Sequence, residues 1–149
     1  MAVIGVARFQ RFFRTIADVD VDKNDLKRYE QFVHRKIHDL LLVAVATAKA
    51  DARDIVGPSD LPITRGLQAC IHEYRRANEE IEIGPLLEDL ATRPPLELAL
   101  SVDTEARLPE IAGGLSVALG RSFRILEPKL KNPETQHWER SFALFDLLV

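Results

Sequence analysis

One apolar stripe constrains this chain more than any other feature. Between Asn24 and Asp51, Leu26, Tyr29, Val33, Ile37, Leu40, Ala44 and Ala48 recur at steps of three and four residues, and Leu41 and Val45 widen the stripe in the middle. That spacing puts all of them on one side of an α-helix. Asp22 is the expected N-cap, with Asp25 three residues on. A helix of that length spans about 40 Å. A chain of 149 residues has no compact use for such a rod unless other elements lie across it.

Those elements are also helical. Val6, Phe9, Phe13 and Ile16 give a first helix over roughly Val3–Ala17, with Arg8, Arg11 and Arg14 on another face. Arg53-Asp-Ile-Val-Gly-Pro58 is a short β-prone piece ending in a breaker. Leu67, Cys70, Ile71 and Tyr74 mark a third helix from about Leu61 to Asn78, with Pro62 in its first turn. The order then repeats. A short helix covers Pro85–Thr92 and stops at Pro94-Pro95. A long one runs from about Asp103 to Leu126, where Pro109 either opens or kinks it. Gly113-Gly114 inside it costs roughly 1 kcal/mol per glycine against alanine, and marks a point where another helix comes close. Glu127–Pro133 is a linker, and Trp138, Phe142, Phe145 and Leu148-Val149 form a last apolar helix. The expectation is an all-α single domain over 1–149, built from a first half (1–80) and a degenerate second half (81–149).

Charge and cysteine content narrow the function classes. The net charge is −3, which lacks the Lys/Arg excess of a protein that wraps nucleic acid. The halves differ: residues 1–76 hold 13 basic and 10 acidic residues, a net of +3, so residues 77–149 carry −6. Any anion-binding surface belongs to the first half. Cys70 is the lone cysteine, so no disulfide forms within the chain, as suits a reducing cytoplasm. The start at Met1 does not read as a signal peptide, and the longest apolar run, Leu40–Ala46, is far short of a membrane span. No membrane partner is expected.

A short helix, a loop, a long central helix, a β-prone loop and another helix together resemble the histone fold. One such motif cannot bury its stripe alone, whereas two in one chain can sheathe each other, with the long helices crossing near Leu40–Ala44 and Leu115–Leu119. Arg53-Asp-Ile-Val-Gly-Pro-Ser-Asp60 looks like the histone loop in which an Arg and an Asp seven residues apart bridge the turn. The resemblance implies a structural clamp between Arg53 and Asp60, and an Asp near a helix N-terminus can take a bidentate Arg. The whole chain also resembles a family of uncharacterised bacterial proteins with two tandem histone-fold segments. The matching stretches are Asp22–Tyr29, Asp60–Thr64, Gly113–Ser116 and Asn132–Trp138. The second half has no Arg…Asp pair at that spacing, so its third helix docks in some other way.

Several constellations invite chemistry, and each has a plainer account. Arg8, Arg11, Arg14, Lys23, Lys27, Arg28, Arg35 and Lys36 offer a weak DNA-binding face, yet each has acidic neighbours, as Arg35 has Asp39, and Asp18, Asp20 and Asp22 lie close by. Asp18-x-Asp20-x-Asp22 hints at a calcium loop, but Lys23 stands where Gly is needed and Tyr29 where Glu is needed. His34 and His38 share a helix face without a third ligand; Glu30 and His38 are about 12 Å apart along the axis. Cys70 and His72 point to different faces. No catalytic residue, metal ligand or cofactor is expected. The reading is a non-enzymatic scaffold or protein-interaction module, standing as an internal pseudodimer or a weak homo-oligomer. The alternative is a weak, salt-sensitive DNA-binding protein that uses the basic face of the first half.

Overall fold

The computed structural model describes residues 2–91 and 95–149, with side chains from residue 5 onward. Met1, Thr92 and Pro94, which entered the readings above, lie outside the described residues. The chain is all-α in class: α1 (Ala2–Ala17), α2 (Asp25–Ala50), α3 (Arg65–Ile81), α4 (Gly84–Leu90), α5 (Val102–Leu126) and α6 (Thr135–Leu148). Two dipeptides, β1 (Ile55–Val56) and β2 (Ala99–Leu100), pair in parallel.

The stripe of α2 is buried along its length, from Tyr29 to Ala48. Asn24, and not the expected Asp22, stands at its N-cap, while Asp22 two residues earlier fastens the start. Its carboxylate accepts the Asn24 and Asp25 N–H groups (2.7 and 3.1 Å), and the Asp25 carboxylate accepts the Asp22 N–H (3.0 Å). α3 begins four residues later than the pattern suggested. Thr64 is its N-cap, accepting the Leu67 N–H at 3.1 Å, while Pro58–Asp60 forms a separate 3-10 turn. Asp60 therefore sits in that turn and not at the N-terminus of α3.

α5 is the enclosed helix. Every residue from Ile111 to Val117 is buried, so neighbours close over it on all sides. Only small side chains permit this. A Cβ on Gly113 would lie 2.3 Å from the Tyr74 ring, and one on Gly114 would lie 2.5 Å from Ile71 Cγ1 and 3.1 Å from the Ile71 nitrogen. The helix expected to come close at the glycine pair is α3. Arg75–Glu110 and Arg121–Glu73 ion pairs flank that seam. Pro109 does not open α5; it lies inside the helix, seven residues after Val102.

Elsewhere α1, α2, α5 and α6 share one aromatic core. The Phe13 ring lies 5.5 Å from Tyr29, 6.5 Å from Phe123 and 6.3 Å from Trp138. The buried Tyr29 hydroxyl lies 2.7 Å from Ser116 Oγ, which donates to the Ala112 carbonyl, so Tyr29 is the donor. Leu40 and Leu115 line one groove. The Tyr29–Ser116 bond places a contact between α2 and α5 about three turns N-terminal to Leu40.

The halves are also tied loop to loop, at two places. At the first, β1 lies beside β2, and the Val56 carbonyl accepts from the Ser101 N–H (2.9 Å) and the Thr104 hydroxyl (2.8 Å). At the second, the Asp20 N–H donates to the Lys131 carbonyl at 2.6 Å, and the Arg124 guanidinium donates to the carbonyls of Ala17, Asp18 and Pro128.

A glycine inside a helix normally gives way to alanine with a gain of about 1 kcal/mol. At Gly113 and Gly114 we expect the reverse. Each alanine variant should lose about 2–3 kcal/mol, read as a lower urea midpoint, because a ring or a backbone atom must move. Gly66→Ala, in the first turn of α3 with nothing within 4 Å of the added carbon, should keep or raise the midpoint, by up to about 1 kcal/mol.

Candidate functional site

Arg53 and Asp60 are brought together. The guanidinium donates to both carboxylate oxygens at 2.7 and 2.6 Å, and Asp60 also accepts the Gly57 N–H at 2.8 Å. Asp60 is buried, and Arg53 is partly exposed and reaches Asp51 as well. These bonds hold the Asp60 carboxyl down at about 2, against an ordinary value of 3.8. Both arms of the guanidinium fork are committed to the turn, which leaves the pair acting as a clamp on the loop that carries β1.

The eight basic residues do not form one surface. Lys36 is 1 % exposed and must be withdrawn from the face. Its ammonium is held between Asp39 (3.1 Å) and Asp146 (2.8 Å). Arg35 pairs with Asp146 at 2.9 Å and not with Asp39. Arg14 pairs with Asp20, Arg28 donates to Thr135 Oγ1 and Arg8 donates to the Glu82 carbonyl. Arg11, Lys23 and Lys27 have no hydrogen-bond or ion-pair partner among the described residues.

The three loop aspartates separate. Asp18 pairs with Lys131 and Arg124, Asp20 with Arg14, and Asp22 accepts the Asn24 and Asp25 N–H groups just before α2. No group of three or more His, Cys, Asp or Glu among the described residues could hold a metal. His34 is exposed, while His38 is partly covered and its Nδ1 is buried without a hydrogen-bond partner. Two further clefts stand out. One is polar, where the α2 start meets the α6 start; Asp25, Arg28, Asn132, Thr135 and Glu139 line it. Burial there pushes the Asp25 carboxyl above the usual carboxylate range, against the pull of the Asp22 N–H.

The other cleft is the feature that sequence reading missed. A groove of roughly 550 Å³ lies between α2, α3, α5 and α6. Leu40, Leu67, Cys70, Leu115, Ala118 and Phe145 line it, with Val43, Leu148 and Val149 at its rim, and none of its lining side chains is charged. Burial pushes the Cys70 thiol upward, which keeps it protonated and apolar in character. The available signal was Val43, an apolar residue on the outer side of α2, where the stripe predicts a polar one. It is about half exposed.

Architecture and surfaces together define a helical protein whose two halves are bound loop to loop and whose open surface includes an apolar groove. The chain belongs to the family described as Domain of unknown function (DUF1931), which matches residues 9–146. It is similar to an uncharacterized protein of Aquifex aeolicus (strain VF5), 27 % identical over 111 residues, or 74 % of this chain. That match spans 65 % of the relative, a little under two thirds of its length. A crystal structure of a Thermus thermophilus protein is similar over 97 % of both chains, at 48 % identity and a TM-score of 0.85. A crystal structure of an Aquifex aeolicus protein shares the fold at 23 % identity, with a TM-score of 0.84 over 97 % of this chain and 95 % of that one. No helix among the described residues is long and apolar enough to cross a membrane.

The clamp sets a pH dependence. The folded-state Asp60 carboxyl is depressed, so its stabilisation is complete above the ordinary aspartate range and disappears as pH falls through about 2. Wild type should lose stability between pH 4 and pH 2 more steeply than Asp60→Asn, and the variant should be the less stable protein at pH 7. Denaturant midpoints across that range read the difference, and parallel curves would remove the clamp's role.

Proposed function

We propose that this chain is a histone-like pseudodimer, folded from two tandem helix–long helix–helix motifs, that works without catalysis as a scaffold or protein-interaction module in a reducing compartment. Three observations support the pseudodimer: the repeated helix order, the packing of the two long helices against each other, and a loop-to-loop tie at each of two places, β1–β2 and Asp20–Lys131. The Arg53–Asp60 clamp, at the spacing the resemblance implies, adds to it.

The observation that carries the interaction reading is the apolar groove. A soluble surface rarely leaves a concave apolar site with half-exposed aliphatic residues on its rim unless something docks there. The DNA reading is weaker for a reason that can be counted. Four of the eight cations are tied up by intramolecular contacts, a fifth is buried, and three have no partner among the described residues.

Two titrations test the reading. An environment-sensitive apolar dye at low protein concentration should bind wild type and lose affinity at least three-fold in Val43→Asp, and equal binding would count against the groove. Duplex DNA should show no binding at moderate salt. Binding that falls with a log–log salt slope near −2.7, the value for about three phosphate contacts, would transfer the function to Arg11, Lys23 and Lys27.

A further inference from the structure

Where α4 meets the seam between α3 and α5, a polar recess of about 330 Å³ opens, apart from the groove and the clamp. Each helix turns one face into it: Tyr74 and Asn78 of α3, Gly84 and Glu88 of α4, Ala106 and Glu110 of α5, each pair four residues apart. Tyr74 is only 5 % exposed and its ring packs over Gly113, so the hydroxyl is the end that reaches the recess. That hydroxyl has no hydrogen-bond partner among the described residues. A methyl built on Gly84 would lie 3.6 Å from it and 3.4 Å from Asn78 Nδ2, so both groups face the same space. The Asn78 amide is oriented by the Gly84 N–H, which donates to its Oδ1 at 2.8 Å. A tyrosine hydroxyl this deeply set is unfavourable without a partner, and the recess is where one fits.

The recess is negative. Arg75 gives its Nε and Nη2 protons to Glu110 at 2.9–3.1 Å, so that pair cancels. Glu88 has no hydrogen-bond or ion-pair partner among the described residues, and its charge stands uncompensated. Burial, with Glu110 and Glu88 beside it, pushes the Tyr74 hydroxyl up to about 12, so the hydroxyl stays neutral in a negative field. No set of three His, Cys, Asp or Glu that could hold a metal exists among the described residues. The charge therefore calls for a cation that bonds through its protons.

We propose that the recess is a binding site for a primary ammonium group carried on a short alkyl chain. An ammonium has three protons to give. The Tyr74 hydroxyl oxygen, the Glu88 carboxylate and a free lone pair of Glu110 accept them, and the local charge closes to zero. Ala106 and Pro109 form the wall along which the methylenes lie. Every one of these residues stands on a helix, so the site is held by the fold and not by a loop. A free small amine and a lysine side chain of another protein carry the same head group.

Proton–nitrogen NMR titration of the full chain with n-butylammonium chloride, against matched sodium chloride, tests the site. The Gly84 amide and the Asn78 side-chain amide should shift and saturate. Glu88→Gln should weaken binding about ten-fold and Tyr74→Phe about five-fold, the losses that follow a charged and a neutral hydrogen bond. Tyr74→Phe should unfold no earlier than wild type, because the hydroxyl it removes bonds nothing in the chain. Gly84→Ala, whose methyl enters the recess at ordinary contact distances and meets only side chains, should abolish saturation with the fold intact. Asp89→Asn, next to Glu88 but outside the recess, should bind as wild type does, and n-butanol, with the same chain and no charge, should not saturate. Nα-acetyl-lysine methylamide separates the two sources: comparable affinity assigns the site to a protein lysine, and binding of n-butylammonium alone assigns it to a free amine. Shifts that never saturate, equal binding of n-butanol, or wild-type titrations in both Glu88→Gln and Tyr74→Phe would each overturn the proposal.

Discussion

A helix enclosed on every side has to be thin, and the rest of this structure follows from how α5 meets that requirement. An α-helix with ordinary side chains keeps its neighbours about 8–10 Å away, axis to axis. Between Ile111 and Val117 the chain places Ala112, Gly113, Gly114 and Ser116, so α3 lies almost on the backbone. The glycines cost helix propensity, yet they are buried against Tyr74, Ile71 and Leu67, where dispersion and area burial outweigh about 1 kcal/mol each. Ser116 solves the remaining problem. Its hydroxyl gives its proton to the Ala112 carbonyl and takes the Tyr29 proton, so two buried hydroxyl groups are satisfied in one line.

That solution makes the halves unequal. α5 is covered by α1, α2, α3, α4 and α6, while α2 buries one stripe and leaves its other side to water. A symmetric pair would hide both long helices to the same degree. Here one long helix is a central post and the other is a wall, and the outer side of the wall is where Leu42 and Val43 are found. The two loop ties differ in the same way. The one at β1 is braced by a buried carboxylate within its own loop, and the one at Lys131 is braced from outside by Arg124, whose guanidinium gathers carbonyls from both halves. α6 itself docks through its aromatic side chains, Trp138 against Phe13 and Phe123, and Phe145 against Phe32.

Helical class, order and approximate extents were legible because periodicity sustained over four or more turns is a strong signal. What was misread was local or tertiary. α3 starts at Arg65 because Thr64 can cap it, and Pro62 two residues earlier drew the boundary too far forward. Ala99–Leu100 carries no strand signal of its own; it is extended because β1 offers it a partner. The burial of Lys36 was written in the spacing, three residues after Val33 and four before Leu40. A lysine on an apolar stripe needs a buried anion, and Asp146, four residues after Phe142 on the next stripe, is its complement. Reading Lys36 as part of a basic face ignored position in favour of charge. Which helix crosses at the glycine pair was not legible at all, since nothing in α5 identifies its neighbour.

The same lysine ties architecture to surface. Burying an ammonium is unfavourable unless a carboxylate comes with it, and bringing Asp146 to Lys36 brings the end of α6 to the side of α2. An apolar residue at position 36 would remove the need for the ion pair and with it the fixed approach of α6 to α2. The helix end would then be free to roll Leu147 and Leu148 inward over the groove. The ion pair does the opposite. It holds the helix in a register that leaves both leucines in water and the groove open beside them. A surface that is unfavourable for an isolated chain is thus maintained by a polar interaction that is itself costly to bury.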